Sequence, residues 1–536
     1  MLDKIFSRWD ASSKESLYIQ EKAEAGWPVV KCPQELLLDA CKTLFVEEGY
    51  NLGGIIAEEG QDARSLYYVF YREGHPQRLL LKIEQTISHH PVPSISTLIH
   101  GADWIEREIE DLFGIGFRGH PRLGDFVIHS EAWDRTIKPM RKGFDPKPPI
   151  YKEQTQGPGF WKPVQIVEGP GVFAMPIGPV YSGPSESVHF LIETVGEEII
   201  RAKTRLFYKY RAVEKLAEGK DLFNGLLLAE RFSGTSAFAH ALGFCNAVES
   251  ALGLSVPKRA RVLRVILAEL ERMRHHAAKI EAICSSTGLA VATSHAGILH
   301  EELLRISGEF ARHRYLFGLV RPGGMSKDFS DSDCHALCDK IRKVLFRLKR
   351  LEGMLKFSSS FLDRLEQVGM VSPKTARELC LVGPVGRASM QNFDIRKHLP
   401  YEIYQDVQFV PAMEGEGDGY ARLRVFFKEA RQSARIIEQA AEMLSECRES
   451  PVVPASLDVF KDMESDATGI GLIEAPSGAA IHWVRIDRKG RLARYRILPP
   501  AFFNWHAFHY SAEGFAFQDF PIILATFGLS VAENDR

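Results

Sequence analysis

The feature that most limits the fold of this chain is a tract of helical periodicity running from about residue 212 to residue 444. Within it, the segment RARVLRVILAELERMRHHAAKIEAI at 259–283 places apolar residues at i, i+3, i+4 and i+7. Helices with such apolar stripes must bury them against other helices or a sheet. The tract therefore predicts a large helical body.

The regions on either side of this tract follow other patterns. From Lys31 to about Ile128, short helical and strand-like pieces alternate. Residues 130–171 are rich in Pro, Gly and Lys, which favours an extended connector. The alternation of apolar and polar residues that follows indicates two or three antiparallel strands, and the part from Val452 to Arg536 returns to mixed strands and turns.

These patterns predict an α+β protein. We expect a small N-terminal α/β domain at 1–130 and an extended linker at 131–170. A large, mainly helical domain with a small antiparallel sheet should fill 171–536.

Net charge and the length of the apolar stretches exclude several classes of function for this chain. The chain has 67 Lys and Arg against 69 Asp and Glu, a net charge of −2, which gives no reason to expect a nucleic-acid partner. Its longest apolar stretches, such as residues 520–531, are far shorter than the roughly 20 residues that cross a bilayer. The first residues lack the apolar core of a secretory signal. We therefore expect a cytoplasmic protein that does not span a membrane.

The eight cysteines form no CxxC pair. Cys334 and Cys338 form the one CxxxC spacing, in a charged segment with a helical pattern, and could hold a metal or be ordinary free thiols. We interpret them as free thiols, because the other cysteines are dispersed and form no disulfide framework.

The segment DWIEREIEDLFGIGFRGHP at 103–121 contains Glu106, Glu108 and Asp111 on a short helical stretch before turn glycines. The pattern alone predicts a solvated acidic face followed by a hairpin. The same segment resembles the signature of the small hydrophilic (30 kDa) subunit of respiratory complex I.

A second set of segments resembles the large subunit of nickel–iron hydrogenases and its relative, the quinone-site (49 kDa) subunit of complex I. The set follows the family order: IGPVYSGPSESVHF (177–190), RLFYKYRAVEKL (205–216), ERFSGTSAFAHALGFCNAVE (230–249), VGPVGRAS (382–389), GDGYARLRV (417–425), EAPSGAAIHW (474–483) and IILATFGLSVAENDR (522–536). The two resemblances together cover the chain from about residue 30 onward. A fusion of the two subunits is similar to the large subunit of formate hydrogenlyase.

The hydrogenase resemblance implies four thiolate ligands for a nickel–iron centre, from two CxxC pairs. Here the corresponding positions are Ser233, Ser236, Ser530 and Glu533. Hydroxyls and one carboxylate are hard donors that cannot replace bridging thiolates. Ser477 also stands where the family has an arginine beside the metal. We expect no metal centre, no cofactor and no hydrogen activation in this chain.

The complex I resemblance implies a His and a Tyr that bind quinone, and these positions hold Tyr181 and Gly234. The Tyr181 phenol remains a candidate hydrogen-bond partner for a quinone carbonyl. Arg387, Asp394 and Arg396 match family positions that line the buried cleft. They are candidates for a cleft or quinone pocket, the alternative being ion pairs that join helices.

Three further residues match a proton route of the hydrogenases. Glu214 matches the family's relay glutamate, with Arg211 close by in sequence, and His240 matches a histidine beside the metal. The alternatives are a structural Arg211–Glu214 ion pair on one helical face and an ordinary helix histidine. We predict that His482 and the pair His275 and His276 are structural.

The resemblance implies a peripheral-arm subunit of a membrane-bound, complex I-like or formate-hydrogenlyase-like assembly that couples electron transfer to ion translocation without the nickel–iron site. Its expected partners are a small subunit with an iron–sulfur cluster and antiporter-like membrane subunits. These partners would attach it to the inner face of the cell membrane. Two alternatives remain: a donor-linked quinone oxidoreductase subunit with quinone in the vacated cleft, and a non-catalytic scaffold subunit.

Overall fold

The computed structural model describes residues 20–24, 26–60, 63–73, 78–86, 90–129, 133–145, 167–181, 186–447, 452 and 465–536. Residues 146–166, most of the predicted linker at 131–170, lie outside this part. The strands are β1 Gln20–Glu24, β2 Trp27–Lys31, β3 Asn51–Glu59, β4 Ala63–Tyr71, β5 Arg78–Thr86, β6 Val92–Pro93, β7 Phe117–Arg118, β8 Val172–Ile177, β9 His189–Val195, β10 Glu198–Arg205, β11 Val320–Arg321, β12 Gly324–Met325, β13 Ala467–Ala475, β14 Gly478–Ile486 and β15 Leu492–Leu498.

The helices are α1 Leu37–Lys42, α2 Asp103–Phe113, α3 Val213–Ala217, α4 Leu222–Arg231, α5 Ala237–Leu252, α6 Lys258–Ser286, α7 Ala290–Ala311, α8 Asp331–Lys356, α9 Ser359–Leu362, α10 Pro373–Glu378, α11 Gly383–Ala388, α12 Ile395–His398, α13 Gly419–Met443, α14 Pro500–Ala512 and α15 Phe520–Phe527. Short 3-10 or π turns occupy Gln34–Leu36, Thr43–Glu47, His100–Ala102, Leu444–Cys447 and Phe517–Asp519. Helices and small sheets are both present, so the predicted α+β class is confirmed.

The N-terminal domain is built on a five-stranded sheet of order β1-β2-β5-β4-β3, in which β2 and β5 are parallel and the other pairs antiparallel. Side chains alternate between the two faces of a strand. In β4, Tyr68 and Phe70 pack in the core beneath α2, whereas Tyr67 and Val69 point to the other face. Both faces are therefore buried.

The second face of this sheet packs on the C-terminal sheet, which has the order β13-β14-β15. The rings of Tyr67 and Trp483 lie 4.8 Å apart, and Trp483 Nε1 donates to Glu58 Oε1 over 2.8 Å. An indole with its N–H satisfied is well suited to such a buried junction. The N-terminal sheet and the C-terminal sheet are thus packed against each other.

Helix α2 differs from the solvated acidic face that its pattern predicts. Glu106, Glu108 and Asp111 are all buried. Glu106 accepts the Ile95 backbone N–H over 2.8 Å, and Asp111 accepts three backbone N–H groups from residues 126–128. The expectation of a solvated face is wrong, because these carboxylates organise the loops around the helix.

The helical body is built around α6, which packs against α13, α7 and α15. This helix is buried on all sides over most of its length, including its charged side chains Arg264, Glu269 and Arg272. Buried charges require partners. The central helix therefore brings an ion-pair network into the core.

The C-terminal sheet lies directly on α5. Cβ atoms at Gly469 and Gly471 of β13 would lie 1.9 and 2.0 Å from the carbonyl oxygens of Ala247 and Gly243. Only glycine permits such an approach between strand and helix backbones. Helix and strand are thus held in van der Waals contact beside the site described below.

The predicted antiparallel strands after residue 171 form the three-stranded sheet β10-β9-β8. In the described part of the chain, no helix is long and apolar enough to cross a membrane.

Candidate functional site

The four positions that correspond to metal ligands in the hydrogenases lie together: the hydroxyls of Ser233 and Ser236 approach the Glu533 carboxylate, and the Ser530 hydroxyl accepts the Glu533 backbone N–H over 3.3 Å. Ser233 and Ser236 lie in the turn between α4 and α5, and Ser530 and Glu533 follow α15. The Glu533 Oε1 atom lies 3.1 Å from Ser236 Oγ and 3.5 Å from Ser233 Oγ. The Ser477 hydroxyl also approaches it at 3.5 Å. We call Ser233, Ser236, Ser477, Ser530 and Glu533 the serine–carboxylate cluster.

The environment of Glu533 keeps this carboxyl ionised. Burial acts to raise its pKa, but His240, the Ser236 hydroxyl and the charge of Lys279 together lower the pKa below its usual value. The carboxylate accepts hydrogen bonds from hydroxyl groups that have few other partners in the turn. The cluster is therefore a compact set of oxygen atoms around one negative charge.

The segment after α15 is held in place by Glu186 and Arg211. Glu186 accepts the backbone N–H groups of Val531 and Ala532 over 2.6 and 3.0 Å. Arg211 donates to the backbone carbonyl of Asp535 over 2.9 Å and to that of Ala532. Arg211 thus positions the segment that carries Glu533.

Glu214 has partners other than Arg211. It contacts the guanidinium groups of Arg496 and Arg536, and it accepts the Ile497 N–H over 2.6 Å. Arg536 also pairs with Glu108 of α2 at 2.8 Å, and Arg496 lies 3.2 Å from the same carboxylate. We call Glu108, Glu214, Arg496 and Arg536 the ion square. Arg211 lies before α3 and contacts the C-terminal segment, so the alternative of a structural Arg211–Glu214 ion pair is not formed among the described residues.

His240 stands beside the serine–carboxylate cluster on the first turn of α5. Its Nε2 atom lies 3.7 Å from Glu533 Oε1, and its Nδ1 atom lies 3.2 Å from His482 Nε2. His482 Nδ1 in turn lies 2.8 Å from the Tyr495 hydroxyl. His482, predicted to be structural, is therefore in contact with the predicted relay residue.

Tyr181 is half-buried, and its hydroxyl donates to the carbonyl oxygen of Val188 over 2.8 Å. The single hydroxyl hydrogen is thus used within its own segment, and burial raises the pKa of the phenol. A quinone would have to displace this bond or donate to the phenol oxygen. The proposed role of Tyr181 in binding quinone stays a prediction.

Arg387, Asp394 and Arg396 lie together in a fully buried ion-pair network. Arg396 Nη2 is 2.7 Å from Asp394 Oδ2, and Arg387 Nη1 is 3.6 Å from the same oxygen. The two guanidinium groups hold the pKa of Asp394 below its usual range, against the effect of burial. The rest of the network comprises Glu269, Arg272, His276, Glu429 and Glu474.

The network carries one more carboxyl group than it has guanidinium groups. Three arginines face four acidic side chains, all buried. Glu429 accepts from Arg387 and His276, which lower its pKa to about 2 against the effect of burial. Burial and the charge of Asp394 instead raise the pKa of Glu474. Glu474 is therefore the member of the network that most readily holds a proton.

A small cavity of about 150 Å³ adjoins Glu474. Its walls come from the N-terminal sheet, through Asn51 and Tyr71, and from the helical body, through Arg377 and Phe393. At about 30 Å³ of liquid volume per molecule, the cavity admits roughly five waters. It is well below the roughly 300 Å³ at which ligand pockets begin.

Sequence reasoning missed Glu269, Glu429 and Glu474. Glu269 lies on the 259–283 segment, and Glu474 opens the EAPSG motif. A charge on a helix buried on all sides was the available signal for Glu269, but its partner Arg396 lies 127 residues away. Local spacing does not reveal such pairs.

Comparisons with known proteins show what the two parts of the chain are similar to. The family model for the "Respiratory-chain NADH dehydrogenase, 30 Kd subunit" matches residues 30–149, and that for the 49 Kd subunit matches residues 294–536. Formate hydrogenlyase subunit 5 of Escherichia coli is 26% identical over 93% of this chain and 87% of its own length. The NADH-quinone oxidoreductase C/D polypeptide of Bdellovibrio bacteriovorus is 28% identical over 83% of this chain and 83% of its own length.

The membrane-bound hydrogenase alpha polypeptide of Pyrococcus furiosus is 28% identical over 68% of this chain and 87% of its own length. The predicted resemblance to both complex I subunits is confirmed. The chain thus carries a 30 kDa-type and a 49 kDa-type complex I domain joined in one polypeptide.

Proposed function

We propose that this protein is a peripheral-arm subunit of a membrane-bound, complex I-like assembly that couples electron transfer to ion translocation without a nickel–iron centre. An iron–sulfur subunit would supply the electrons, and antiporter-like membrane subunits would move the ions. The observation that carries the proposal is the serine–carboxylate cluster, which stands where the hydrogenase resemblance places four thiolates.

The donor set does not fit a nickel–iron centre. Such a centre is held by soft thiolates, whereas Ser233, Ser236 and Ser530 offer neutral hydroxyls and Glu533 offers one carboxylate. The Ser236 hydroxyl donates its hydrogen to Glu533, so it is a protonated, neutral group and a weak metal ligand. These residues support a site that works through charge and hydrogen bonds.

The buried charges support a coupling role. The ion-pair network joins α6, α11, α13 and β13, and the ion square joins α2, α3 and β15. Electrostatic interactions are strong in a low-dielectric interior, so a change of charge in a neighbouring redox subunit would shift the preferred arrangement of these groups.

The first test is the nickel and iron content of the purified complex, with hydrogen uptake measured by dye reduction. We expect near-zero nickel and no uptake. The comparison variant carries four substitutions, Ser233→Cys, Ser236→Cys, Ser530→Cys and Glu533→Cys, and asks whether thiolates alone restore nickel binding. Stoichiometric nickel with hydrogen uptake in the unmodified complex would contradict the proposal.

The second test is ion translocation by the intact complex in sealed vesicles, driven by reduction of its iron–sulfur partner. Translocation that stops when this subunit is omitted supports coupling. Normal assembly and electron transfer with no translocation would instead favour a scaffold subunit. Turnover that depends on an added quinone would favour the quinone oxidoreductase alternative.

A further inference from the structure

We propose that Glu474 takes up a proton from water in the adjoining cavity and releases it there, which makes Glu474 the proton-loading group of the ion-pair network. The cavity, of about 150 Å³, lies between the N-terminal sheet and the helical body. This assignment deepens the proposed function, on which the use of the proton in the complex rests. It names the carboxyl group whose charge changes.

Of the four carboxylates in the network, Glu474 is the one that lines the cavity. The other three are 0% exposed, whereas 2% of the Glu474 surface is accessible. The wall of the cavity also includes Gln391, which is half-buried, and Asn392, which is exposed. The cavity therefore connects Glu474 with the protein surface, and its polar wall suits water.

Glu474 also has the fewest hydrogen-bond donors of the four carboxylates. One of its oxygens accepts an Arg387 N–H over 2.8 Å, and the other accepts the Ile395 backbone N–H over 3.1 Å. Glu269, by contrast, accepts from two arginines and two hydroxyl groups, and Glu429 contacts two N–H groups of Arg387 and a histidine. Because a carboxylate oxygen has two acceptor sites, each oxygen of Glu474 keeps one site for a proton.

The charges of the network leave room for one proton. Three guanidinium groups face four carboxylates. His276 does not close the difference, because burial lowers the pKa of its ring despite the contact with Glu429. An uncompensated buried charge is costly, and burial together with the charge of Asp394 raises the pKa of Glu474. Uptake of one proton by Glu474 therefore neutralises the network.

The groups that face Glu474 leave it as the one that changes charge. On the network side these groups are Arg272, Arg387, Asp394, Arg396 and Tyr401. Across the cavity they are Tyr71, Arg377 and Cys380. Burial raises the pKa of both tyrosines and of the cysteine, so these three stay neutral near neutral pH. In the loading step an O–H bond of a hydronium ion in the cavity breaks, an O–H bond forms on the Glu474 carboxyl, and water remains.

Infrared spectroscopy of the full-length chain tests whether Glu474 holds a proton. We compare the C=O band of protonated carboxyl groups in the unmodified chain and in Glu474→Gln from about pH 5 to about pH 9. The comparison is needed because Glu106 and Asp535, whose pKa values burial raises to about 7, give bands of their own. We expect the unmodified chain to show one additional band that the variant lacks and that fades as pH rises. Absence of this band, or equal strength at both ends of the pH range, would overturn the proposal. If Glu474→Gln does not fold, Glu474→Asp makes the assignment, because it keeps the carboxyl group and moves its band.

Exchange into deuterated water tests the cavity as the route of the proton. Deuterium on a carboxyl group shifts its C=O band, so the rate of the shift reports access to solvent. The Glu106 band is the internal control, because Glu106 is 0% exposed and is not part of the cavity wall. We expect the Glu474 band to shift before the Glu106 band. Exchange at Glu474 that is no faster than at Glu106 would overturn the route through the cavity.

The assembled complex gives the functional readout. Glu474→Gln fixes the charge of this group, and we expect ion translocation per electron to fall about a hundredfold, on the scale for loss of a positioned proton carrier. Glu309→Gln makes the same change on an exposed side chain and should leave translocation unchanged. Equal translocation by the two variants would overturn the role of Glu474 in coupling. An unmodified complex without translocation would refute the proposed function, while the infrared bands would still decide whether Glu474 loads a proton.

Discussion

The ion square allows the two roles suggested for Glu214 to be separated. Its two arginines and two glutamates balance in charge, and all four side chains are buried. Glu214→Gln leaves two guanidinium groups against the single carboxylate of Glu108. Removing one partner from a buried ion pair costs about 3–5 kcal/mol, because the remaining charge is left uncompensated.

Glu108→Gln is the matched control, because it removes the same charge from the same square through α2. We expect both variants to lose about 3–5 kcal/mol of unfolding free energy, measured by urea unfolding of the full-length chain. The surface variant Glu309→Gln should leave the unfolding free energy close to that of the unmodified chain. Losses in the first two variants no larger than the surface loss would refute the description of a closed, buried square.

Measuring proton translocation by the assembled complex then distinguishes a structural role of Glu214 from a role as proton relay. If Glu214 carries the proton, Glu214→Gln abolishes proton translocation. Glu108→Gln should then retain proton translocation per assembled complex, even if less complex assembles. Equal loss per assembled complex in both variants means that Glu214 has a structural role. Unchanged translocation in Glu214→Gln would eliminate the relay altogether.

Two further predictions concern stability. Gly471→Ala should lower the unfolding temperature strongly, because its Cβ would lie 2.0 Å from the Gly243 carbonyl oxygen, whereas Gly353→Ala, in open space on α8, should stabilise by up to about 1 kcal/mol. Burial raises the pKa of Glu106 to about 7, so its protonated form favours folding and this contribution is lost as pH rises from about 4.5 to about 7. Urea unfolding at pH 5 and pH 8 should show that the unfolding free energy of Glu106→Gln lacks the pH-dependent contribution of Glu106. An identical pH dependence of the unfolding free energy in the unmodified chain and in Glu106→Gln would contradict this prediction.

The sequence predicted the elements whose patterns are local. The apolar periodicity at 259–283 identified α6, and the alternation after residue 171 identified β8 to β10. The pattern also predicted the helical stretch of α2 but not its burial, because burial of Glu108 depends on Arg496 and Arg536, which lie 388 and 428 residues away along the chain. For charged residues on a short helix, the sequence pattern predicts solvent exposure unless their distant ion-pair partners are known.

The site was predictable to a similar extent. The resemblance to the hydrogenases identified Ser233, Ser236, Ser530 and Glu533, which the structure brings together. The contact between His240 and His482 was not predictable, because it depends on β14 lying against α5 at Gly243. Such backbone approaches are set by tertiary packing.

The contact between the N-terminal and C-terminal sheets has a consequence for assembly. The junction buries Tyr67, Val69 and Trp27 on one side and Ile481 and Trp483 on the other. Two separate polypeptides would have to find this apolar surface by diffusion, and each would expose it until they met. Covalent linkage replaces that encounter with an effective local concentration in the millimolar range. In a fused chain, even a weak sheet-to-sheet contact is therefore almost fully occupied, and its stoichiometry is fixed at one to one.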